Sequence, residues 1–415
     1  MKIVAEKTYD VFVAGAGVAG AAAALQAARM GRKVAIAEKC AALGGMATTG
    51  HVNLFEPMCN GRGKQIMKGM ADEMLRMAIR YGYDDTPADW KDGEPGQGNT
   101  NKRYVCHFSA CIFALTLCEE LHKAGVEILF DTVVTDVEAT EGHIDSVLIF
   151  NKSGYTRVKA AMFVDTTGDS DLLYKLGVPT VTQGGHHTYA GWGLSLDSCK
   201  KAVEAGTVEK VCYDFHGGRA GWSGIRHPEG MPLWDGTDGD QVSKYFIANQ
   251  IELLGNIKAD DRHSREIVML PFMHQIRTTR RIDGDYTLNY EEDVYKHFPD
   301  SVGAVCDPMK RDQLFEVPYG TLVRTGFDNI ITAGRSASGV GLAWNVLRVI
   351  PQAILTGQAA GAACALAVEA KCDITKVDIA ALQKTMEEAG NDVHFDDALI
   401  PEGQGGADGH AEGHM

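Results

Sequence analysis

The feature that most constrains the fold of this chain is a glycine-spaced turn between two short apolar strands within its first forty residues. Residues 11–14 are apolar and β-branched, which is typical of a strand buried on both faces. Residues 19–30 are rich in alanine and favour a helix, and Gly31 follows where a left-handed residue is needed. Residues 34–37 repeat the strand pattern and lead into Glu38. This strand–helix–strand order predicts a parallel sheet.

The spacing of Gly15, Gly17 and Gly20 has a mechanical interpretation. Gly15 allows the tight turn from strand to helix, Gly17 lets a pyrophosphate approach the backbone, and Gly20 lets helix and strand pack closely. The helix then points its free N–H groups and its positive end at the phosphates. Glu38 is placed to accept hydrogen bonds from ribose hydroxyls, which favours NAD or FAD over NADP. These features predict a dinucleotide-binding site.

Composition narrows the class of protein further. The formal net charge of −15 argues against nucleic acid as a partner. The ten cysteines include no Cys-x-x-Cys pair, so no metal site is predicted, and scattered thiols indicate a reducing compartment. Residues 11–28 and 354–370 are apolar, but their glycines and glutamines predict internal elements rather than membrane insertion. We therefore predict a cytoplasmic protein.

Further motifs follow the second strand and recur near the far end of the chain. Residues 43–51 contain a Gly-Gly pair followed by small and hydroxyl residues. Residues 277–284 read Arg-Thr-Thr-Arg-Arg-Ile-Asp-Gly, residues 317–320 read Val-Pro-Tyr-Gly, and residues 327–335 end in Ala-Gly-Arg. Residues 348–363 read Arg-Val-Ile-Pro and continue into a helix of small residues. In these segments the chain resembles the FAD-dependent oxidoreductase family of the two-dinucleotide-binding-domain flavoproteins, related to the fumarate reductase and succinate dehydrogenase flavoproteins.

The resemblance implies an α/β fold, with a Rossmann-like FAD-binding domain and an inserted mixed α+β substrate or cap domain. Residues 1–178 are predicted to form the first part of the FAD-binding domain and residues 316–400 its returning C-terminal part. Residues 179–315, in which glycine, tryptophan and histidine become frequent, are predicted to form the cap. Residues 401–415 cannot form a core and are predicted to be a disordered tail.

The motif and the resemblance together imply which residues contact FAD. The Gly-Gly loop is expected along the pyrophosphate, the backbone after residue 132 at the adenine, and the helix after residue 341 at the pyrimidine edge of the flavin. The predicted cofactor-binding residues are Gly15, Gly17, Ala19, Gly20, Glu38, Lys39, Gly44, Gly45, Met46, Thr48, Val133, Val134, Thr167, Gly168, Gly334, Arg335, Asn345 and Val346. Arg348 is placed either near that edge or in a structural ion pair. Residues 161–169 indicate a buried strand that ends in a turn near the cofactor. Asp169 either belongs to that turn at the cofactor or, the interpretation favoured here, caps the helix that begins at Ser170.

Substrate activation requires an acid or base that titrates near working pH, or a cation that faces a developing oxyanion. The histidine candidates are His51 beside the flavin loop, His187 in the cap and His274 before an arginine cluster. Each of them also suits a purely structural role. Arg277 and Arg281 in the cluster either grip a substrate carboxylate or phosphate, or hold the two domains together through acidic partners.

The predicted function follows from this combination. The leading hypothesis is an FAD-dependent oxidoreductase that transfers a hydride between a non-covalently bound flavin and a small organic substrate. Either an enoate-type double bond is reduced, or a saturated bond or carbinol is oxidised. The chain has no second dinucleotide-type glycine triplet, so its unidentified electron donor or acceptor is expected to meet the flavin directly. The alternatives are an NAD-dependent dehydrogenase that uses the glycine-triplet site and a non-enzymatic flavin redox sensor.

Overall fold

The computed structural model describes residues 2–100, 103–209, 211–219 and 229–402. The tail predicted over residues 401–415 therefore lies outside the described residues from position 403 onward.

Both strands and helices lie within the first 180 residues, and short strands dominate the middle of the chain. The strands are β1 (Ile3–Ala14), β2 (Val34–Ala37), β3 (Leu54–Phe55), β4 (Cys106–His107), β5 (Glu127–Leu129), β6 (Val133–Thr140), β7 (His143–Asn151), β8 (Gly154–Asp165), β9 (Thr180–Thr182), β10 (His187–Ser195), β11 (Tyr213–Arg219), β12 (Arg265–Met269), β13 (Gln275–Ile276), β14 (Arg280–Ile282), β15 (Leu288–Asn289), β16 (Ser301–Cys306), β17 (Leu314–Pro318), β18 (Ile330–Thr332) and β19 (Gly339–Val340). The helices are α1 (Val18–Arg29), α2 (Gly69–Ile79), α3 (Ala110–Lys123), α4 (Asp171–Leu176), α5 (Leu196–Ala205), α6 (Gly239–Ala259), α7 (Tyr290–Asp293), α8 (Leu342–Arg348), α9 (Ile350–Ala370) and α10 (Ile379–Glu388).

The largest sheet has the order β5-β2-β1-β8-β7-β6, with β18 added beside β8. Strands β5, β2, β1, β8 and β18 are parallel, whereas β6 and β7 form an antiparallel hairpin. The register pairs Ala14 with Asp165 and Asp165 with Thr332, so the carboxyl ends of β1, β8 and β18 meet at one edge. Ligands of such sheets bind at that edge. The predicted α/β fold class is confirmed.

Helix α9 returns the C-terminal part of the chain to the N-terminal unit. It packs along α1 so closely that a Cβ atom on Gly357 or Gly361 would lie 2.2 Å from the carbonyl oxygens of Ala19 and Ala23. The mean hydropathy of α9, 1.4, and its length would suit a membrane span, but 78% of that apolar window is buried inside the protein. The expectation of a tightly packed internal helix in this segment is therefore confirmed.

A second sheet, of order β11-β10-β12 with β13 paired to β10, forms the body of the inserted region. Helices α5 and α6 accompany it, and its own small core contains Tyr189, Trp234, Tyr245, Leu253 and Ile276. By contrast, the buried apolar side chains of residues 288–317 belong to the large core that also contains α1 and α9. Residues that follow β14 therefore pack with the FAD-binding part of the chain, although the sequence assigned residues up to 315 to the cap.

Candidate active site

The carboxyl ends of the parallel strands open into a cavity of about 1760 Å³ that extends under the cap. Small-molecule sites usually measure about 300–1000 Å³. The wall is contributed by the turn after β1, the loop after β2 and the end of β8. Strand β10 and the later part of α5 from the cap complete it, together with the segment between α8 and α9. A cavity of this size is large enough for an extended dinucleotide and a second small molecule.

At one end of the cavity the wall is formed by the backbone of glycine residues, without side chains. Gly15 has a φ of +93°, and a Cβ atom there would lie 2.5 Å from the Thr166 carbonyl oxygen. Gly17 precedes the first residue of α1 and lines the cavity. A Cβ atom on Gly17 would meet no protein atom within 4 Å and would therefore occupy cavity space. Gly44 donates its N–H to the Ala16 carbonyl at 2.8 Å, which fixes the Gly-Gly loop beside the turn. This end fits a pyrophosphate at a helix N-terminus.

Glu38 lies at the same end and is 7% exposed. Its two carboxylate oxygens accept the N–H groups of Ala16 at 2.8 Å and Cys40 at 2.9 Å. These bonds orient the carboxylate, and each oxygen keeps a further lone pair for a ribose hydroxyl. The neighbouring wall contains Val133 and Val134, the predicted adenine contacts. The residues present therefore fit the adenosine half of FAD.

Most of the predicted cofactor residues line this cavity: Gly15, Gly17, Ala19, Glu38, Lys39, Gly44, Gly45, Met46, Val133, Val134, Thr167, Gly168, Gly334 and Arg335. Gly20 and Thr48 lie behind the wall. A Cβ atom on Gly20 would lie 2.0 Å from the Gly15 carbonyl oxygen, so this glycine permits the close helix–strand packing that the motif implies. The Thr48 hydroxyl donates to the Leu43 carbonyl and so braces the Gly-Gly loop.

The structure does not bring Asn345 and Val346 to the cavity. Val346 is buried in the large core, and the Asn345 amide oxygen accepts the Arg348 Nε–H at 2.8 Å. The segment reaches the cavity instead at its C-terminal end, through Arg348, Val349 and Ile350. The expectation that the N-terminus of α8 faces the ligand is thus corrected, because Ala343 and Trp344 near its start are buried in the protein and its last residue, Arg348, lines the cavity.

Arg335 joins three parts of the chain at the edge of the cavity. Its guanidinium donates to the carbonyls of Gly168 and Ile276 and to the Asp169 carboxylate, each at 2.7 Å. Asp169 also accepts the Thr279 hydroxyl at 2.6 Å. Burial alone would raise the pKa of Asp169, but Arg335 and the nearby His274 outweigh burial and hold that pKa well below its usual range. The end of β8, the cap and the returning segment are therefore tied together here.

The predicted capping role of Asp169 is wrong. The acid that caps the short helix α4 is Asp165, whose Oδ2 accepts the N–H groups of Leu172 and Leu173 at 2.9 Å. Burial raises the pKa of Asp165 to about 6. Sequence spacing favoured the nearer acid, whereas the αL conformation of Ser170 turns the chain so that the more distant acid reaches the helix.

Of the catalytic candidates, His51 and Arg277 line the cavity. His51 is 5% exposed and stacks on Trp192 with ring centroids 5.0 Å apart. Among the described residues, neither ring nitrogen has a partner at hydrogen-bonding geometry. Burial lowers the pKa of His51, and the backbone of Ala190 and the Asp214 carboxylate offset this in part. A neutral imidazole is thus held at the cavity wall at neutral pH.

The other three candidates lie outside the wall. His187 is fully buried, with Nε2 3.2 Å from the Asn249 amide oxygen. His274 Nε2 lies 3.5 Å from Asp169 Oδ2 and supports the contact with Arg335. Arg281 donates to the Ile282 carbonyl and the Ser338 hydroxyl, at 2.8 and 3.0 Å. These contacts favour the structural interpretation for all three.

Arg277, Arg335 and Arg348 share the wall near His51. Burial, together with the charges of Arg277 and Arg335, lowers the pKa of Arg348 to about 9. Arg335 also pairs with the Asp169 carboxylate at 2.7 Å. Guanidinium groups close enough to repel one another favour the binding of an anion between them.

Sequence reasoning missed the residues that position His51. Gln275 donates its amide N–H to the Gly50 carbonyl and accepts the Ala190 N–H at 2.8 Å, and so holds the His51 loop against β10. Trp192 supplies the ring on which His51 stacks. No short-range pattern indicates these contacts, since Gln275 lies 85 residues from Ala190 and 225 residues from Gly50 in the chain.

Comparison with known proteins agrees with the geometry. The model of the family described as FAD dependent oxidoreductase matches residues 10–195 and 244–386, well over half of the chain. A protein of Methanosarcina barkeri, described as "Uncharacterized protein in nifH2 5'region", is 27% identical over 199 residues, which span 45% of this chain and 96% of that protein.

Solved structures are more distant. A geranylgeranyl bacteriochlorophyll reductase-like protein of Thermoplasma acidophilum superposes with a TM-score of 0.47 at 14% identity, covering 92% of this chain and 83% of the other. The p-nitrophenol 4-monooxygenase of Pseudomonas putida gives 0.42 at 13% identity, covering 92% and 84%. Overlaps this loose identify no substrate. The family match favours FAD over the alternatives of an NAD-dependent dehydrogenase and a redox sensor. The chain belongs to the FAD-dependent oxidoreductase family, and it is an enzyme that uses FAD.

Proposed function

We propose that this enzyme transfers a hydride between a non-covalently bound FAD and a small organic anion. The observation that carries the proposal is the wall formed by Arg277, Arg335 and Arg348, with the uncharged His51 imidazole on the same cavity. When bound, the flavin supplies the hydride or electron exchange. The residues of this chain bind and orient the substrate, exclude water and move a proton.

Arg277 is the group proposed to grip the substrate anion. Its side chain lines the cavity, and its guanidinium lies 3.3 Å from the Thr188 hydroxyl of the cap. Arg335 lines the same wall and pairs with Asp169. A planar guanidinium binds a carboxylate through two parallel hydrogen bonds, and burial strengthens such bonds. Arg348, buried at the same wall, adds positive charge where negative charge develops during reaction.

His51 is proposed as the group that exchanges a proton with the substrate. Its ring stacks on Trp192, and neither buried ring nitrogen has a hydrogen-bond partner among the described residues. Because burial lowers its pKa, the neutral form that accepts a proton predominates at pH 7. In the reduction of a double bond His51 would donate a proton to the substrate. In the oxidation of a saturated bond or carbinol it would accept a proton from the substrate.

Two further expectations belong to the proposal. The closer kinship with the fumarate reductase and succinate dehydrogenase flavoproteins remains a prediction from the C-terminal motifs. A cytoplasmic location is supported by the ten cysteines, all of which are free thiols. The FAD is expected to leave the protein completely on acid precipitation, whereas yellow colour in the washed pellet would contradict non-covalent binding.

The proposal is tested by anaerobic mixing of the enzyme with small carboxylic acids and with their amides. Oxidised enzyme is mixed with saturated and hydroxy acids, reduced enzyme with unsaturated acids, and the flavin absorbance is followed. At low concentration a reactive acid is expected to change the flavin absorbance about 10- to 100-fold faster than its amide does. The uncharged amide lacks the charge-assisted hydrogen bonds that the carboxylate makes. Equal rates for an acid and its amide would contradict an anionic substrate.

Arginine substitutions supply the matched control. Arg277→Lys loses the planar fork and is expected to raise KM about 10-fold or more for the reactive acid. Arg281→Lys removes the same geometry from a residue outside the cavity wall, so KM should be unchanged while stability falls. If Arg281→Lys instead raises KM and Arg277→Lys does not, the anion site is elsewhere.

A further inference from the structure

A cluster of two histidines and one buried glutamate lies away from the cavity, beside the hairpin of β16 and β17. His297 precedes β16, Glu316 belongs to β17, and His394 lies in the segment after α10. One ring nitrogen of each histidine and one carboxylate oxygen of Glu316 all lie within 4.8 Å of one another. None of the three lines the large cavity.

The three groups already converge on one point. Glu316 is fully buried, and its Oε1 lies 2.5 Å from His297 Nδ1 and 2.9 Å from His394 Nδ1. Its other oxygen accepts the Phe298 N–H at 2.7 Å, which fixes the carboxylate plane. The histidine side chains are 43% and 45% exposed, so they retain freedom to adjust and leave a side open to water.

A second carboxylate completes the pattern. His297 Nε2 lies 2.7 Å from Asp397 Oδ1, on the side of the ring opposite Glu316. Histidines that bind metals characteristically direct their other nitrogen to a carboxylate, which fixes the ring orientation. Asp397 thus presents His297 Nδ1 toward the cluster.

We infer that His297, Glu316 and His394 form a binding site for an imidazole-preferring divalent cation of the Zn²⁺ type, with Asp397 positioning His297. Tetrahedral Zn²⁺ with bonds of about 2.1 Å separates its ligand atoms by roughly 3.4 Å. To bind the ion, each histidine nitrogen must move away from Glu316 Oε1 by roughly 1 Å or less. Both histidine side chains are partly exposed and have room for this movement. Water fills the fourth position, and each Nδ1 that carries a proton releases it to solvent.

The site joins two parts of the chain. Glu316 lies in the β16–β17 hairpin, and His394 and Asp397 lie in the last described segment. A cation here would hold that segment to the hairpin and stabilise the folded protein by binding it in preference to the unfolded chain. Sequence analysis could not find the site, because its ligands are separated by 19 and 78 residues.

The test is calorimetric titration of the FAD-loaded protein with ZnCl₂, with MgCl₂ as a comparison. The wild-type chain is expected to bind one equivalent of Zn²⁺ and to melt at a higher temperature with it, while Mg²⁺, which prefers oxygen ligands, gives neither effect. His297→Gln and His394→Gln are expected to abolish this binding, and Asp397→Asn to weaken it about 10- to 100-fold.

His143→Gln is the matched control, since His143 is an exposed histidine that pairs with Asp328 elsewhere. It should bind Zn²⁺ as the wild type does. The flavin spectrum reports that each variant is folded. Absence of Zn²⁺ binding by the wild type would overturn the inference, as would binding that survives in both histidine variants, because other histidines would then hold the ion.

Discussion

At the scale of single residues, the site combines groups that the sequence marks with groups that only the fold reveals. The glycines and Glu38 were predictable because their roles depend on backbone geometry within one strand–helix–strand unit. Among the histidines and arginines, the sequence offered candidates without deciding between them. The fold distinguishes these candidates by their position. His51 and Arg277 line the cavity, whereas Arg281 donates hydrogen bonds to Ile282 and Ser338.

His51→Gln is expected to lower kcat about 100-fold or more, because a general acid or base contributes at least that much. His122→Gln, at an exposed position of α3, is the control and should leave kcat unchanged. Steady-state kinetics with the best acid from the panel measures both. A His51→Gln enzyme with the wild-type kcat and pH profile would remove His51 from the chemistry.

The depressed pKa of His51 also predicts how stability depends on pH. Because its pKa in the folded protein lies below the ordinary value of 6.5, the favourable contribution is present above about pH 6.5 and is lost as the pH falls through the folded value. Urea unfolding of the wild type and of His51→Gln between pH 7.5 and 5 is expected to show a shallower decline for the variant. Parallel curves would contradict the buried, neutral imidazole.

Gly17→Val is expected to abolish FAD binding while the fold persists. The new side chain would enter the cavity rather than strike protein atoms, since nothing lies within 4 Å of the Cβ position. Gly239→Val, at an exposed and equally open position in α6, is the control. The flavin-to-protein absorbance ratio and circular dichroism measure the outcome. Full flavin content in Gly17→Val would place the pyrophosphate elsewhere.

At the scale of elements, local patterns predicted well wherever neighbours in sequence are neighbours in space. The helix expected over residues 19–30 is α1, and the strand expected over residues 34–37 is β2. The failures come from contacts between distant segments. Asp165 rather than Asp169 caps α4, and α8 presents Arg348 rather than Asn345 to the cavity.

The contact between α1 and α9 yields a prediction about stability. Gly361→Ala places a Cβ atom 2.2 Å from the Ala23 carbonyl oxygen, so the two helices must separate, and unfolding should become easier by about 1–3 kcal/mol. Gly255→Ala, in the exposed part of α6 with no neighbour within 4 Å, should instead stabilise by roughly 0.5–1 kcal/mol. Urea denaturation measures both. Stabilisation by Gly361→Ala would mean that the helices are not in contact there.

At the scale of the whole molecule, the cavity exists because the C-terminal part returns to the N-terminal unit. Strand β18 adds to β8, Gly334 lies against Ala19, and Arg335 ties the returning segment to the cap and to the end of β8. The motifs at both ends indicated this return. The detailed boundary of the cap was less predictable, because residues 288–317 join the large core through packing that no local pattern encodes.

The most direct test of this account is a crystal structure of the yellow, FAD-loaded protein. We expect the pyrophosphate at Gly17 and Gly45, the adenosine ribose at Glu38, and the flavin ring at the seam where His51, Arg277 and Arg348 meet. Electron density for FAD outside this cavity, or with its flavin ring far from these three side chains, would contradict the account.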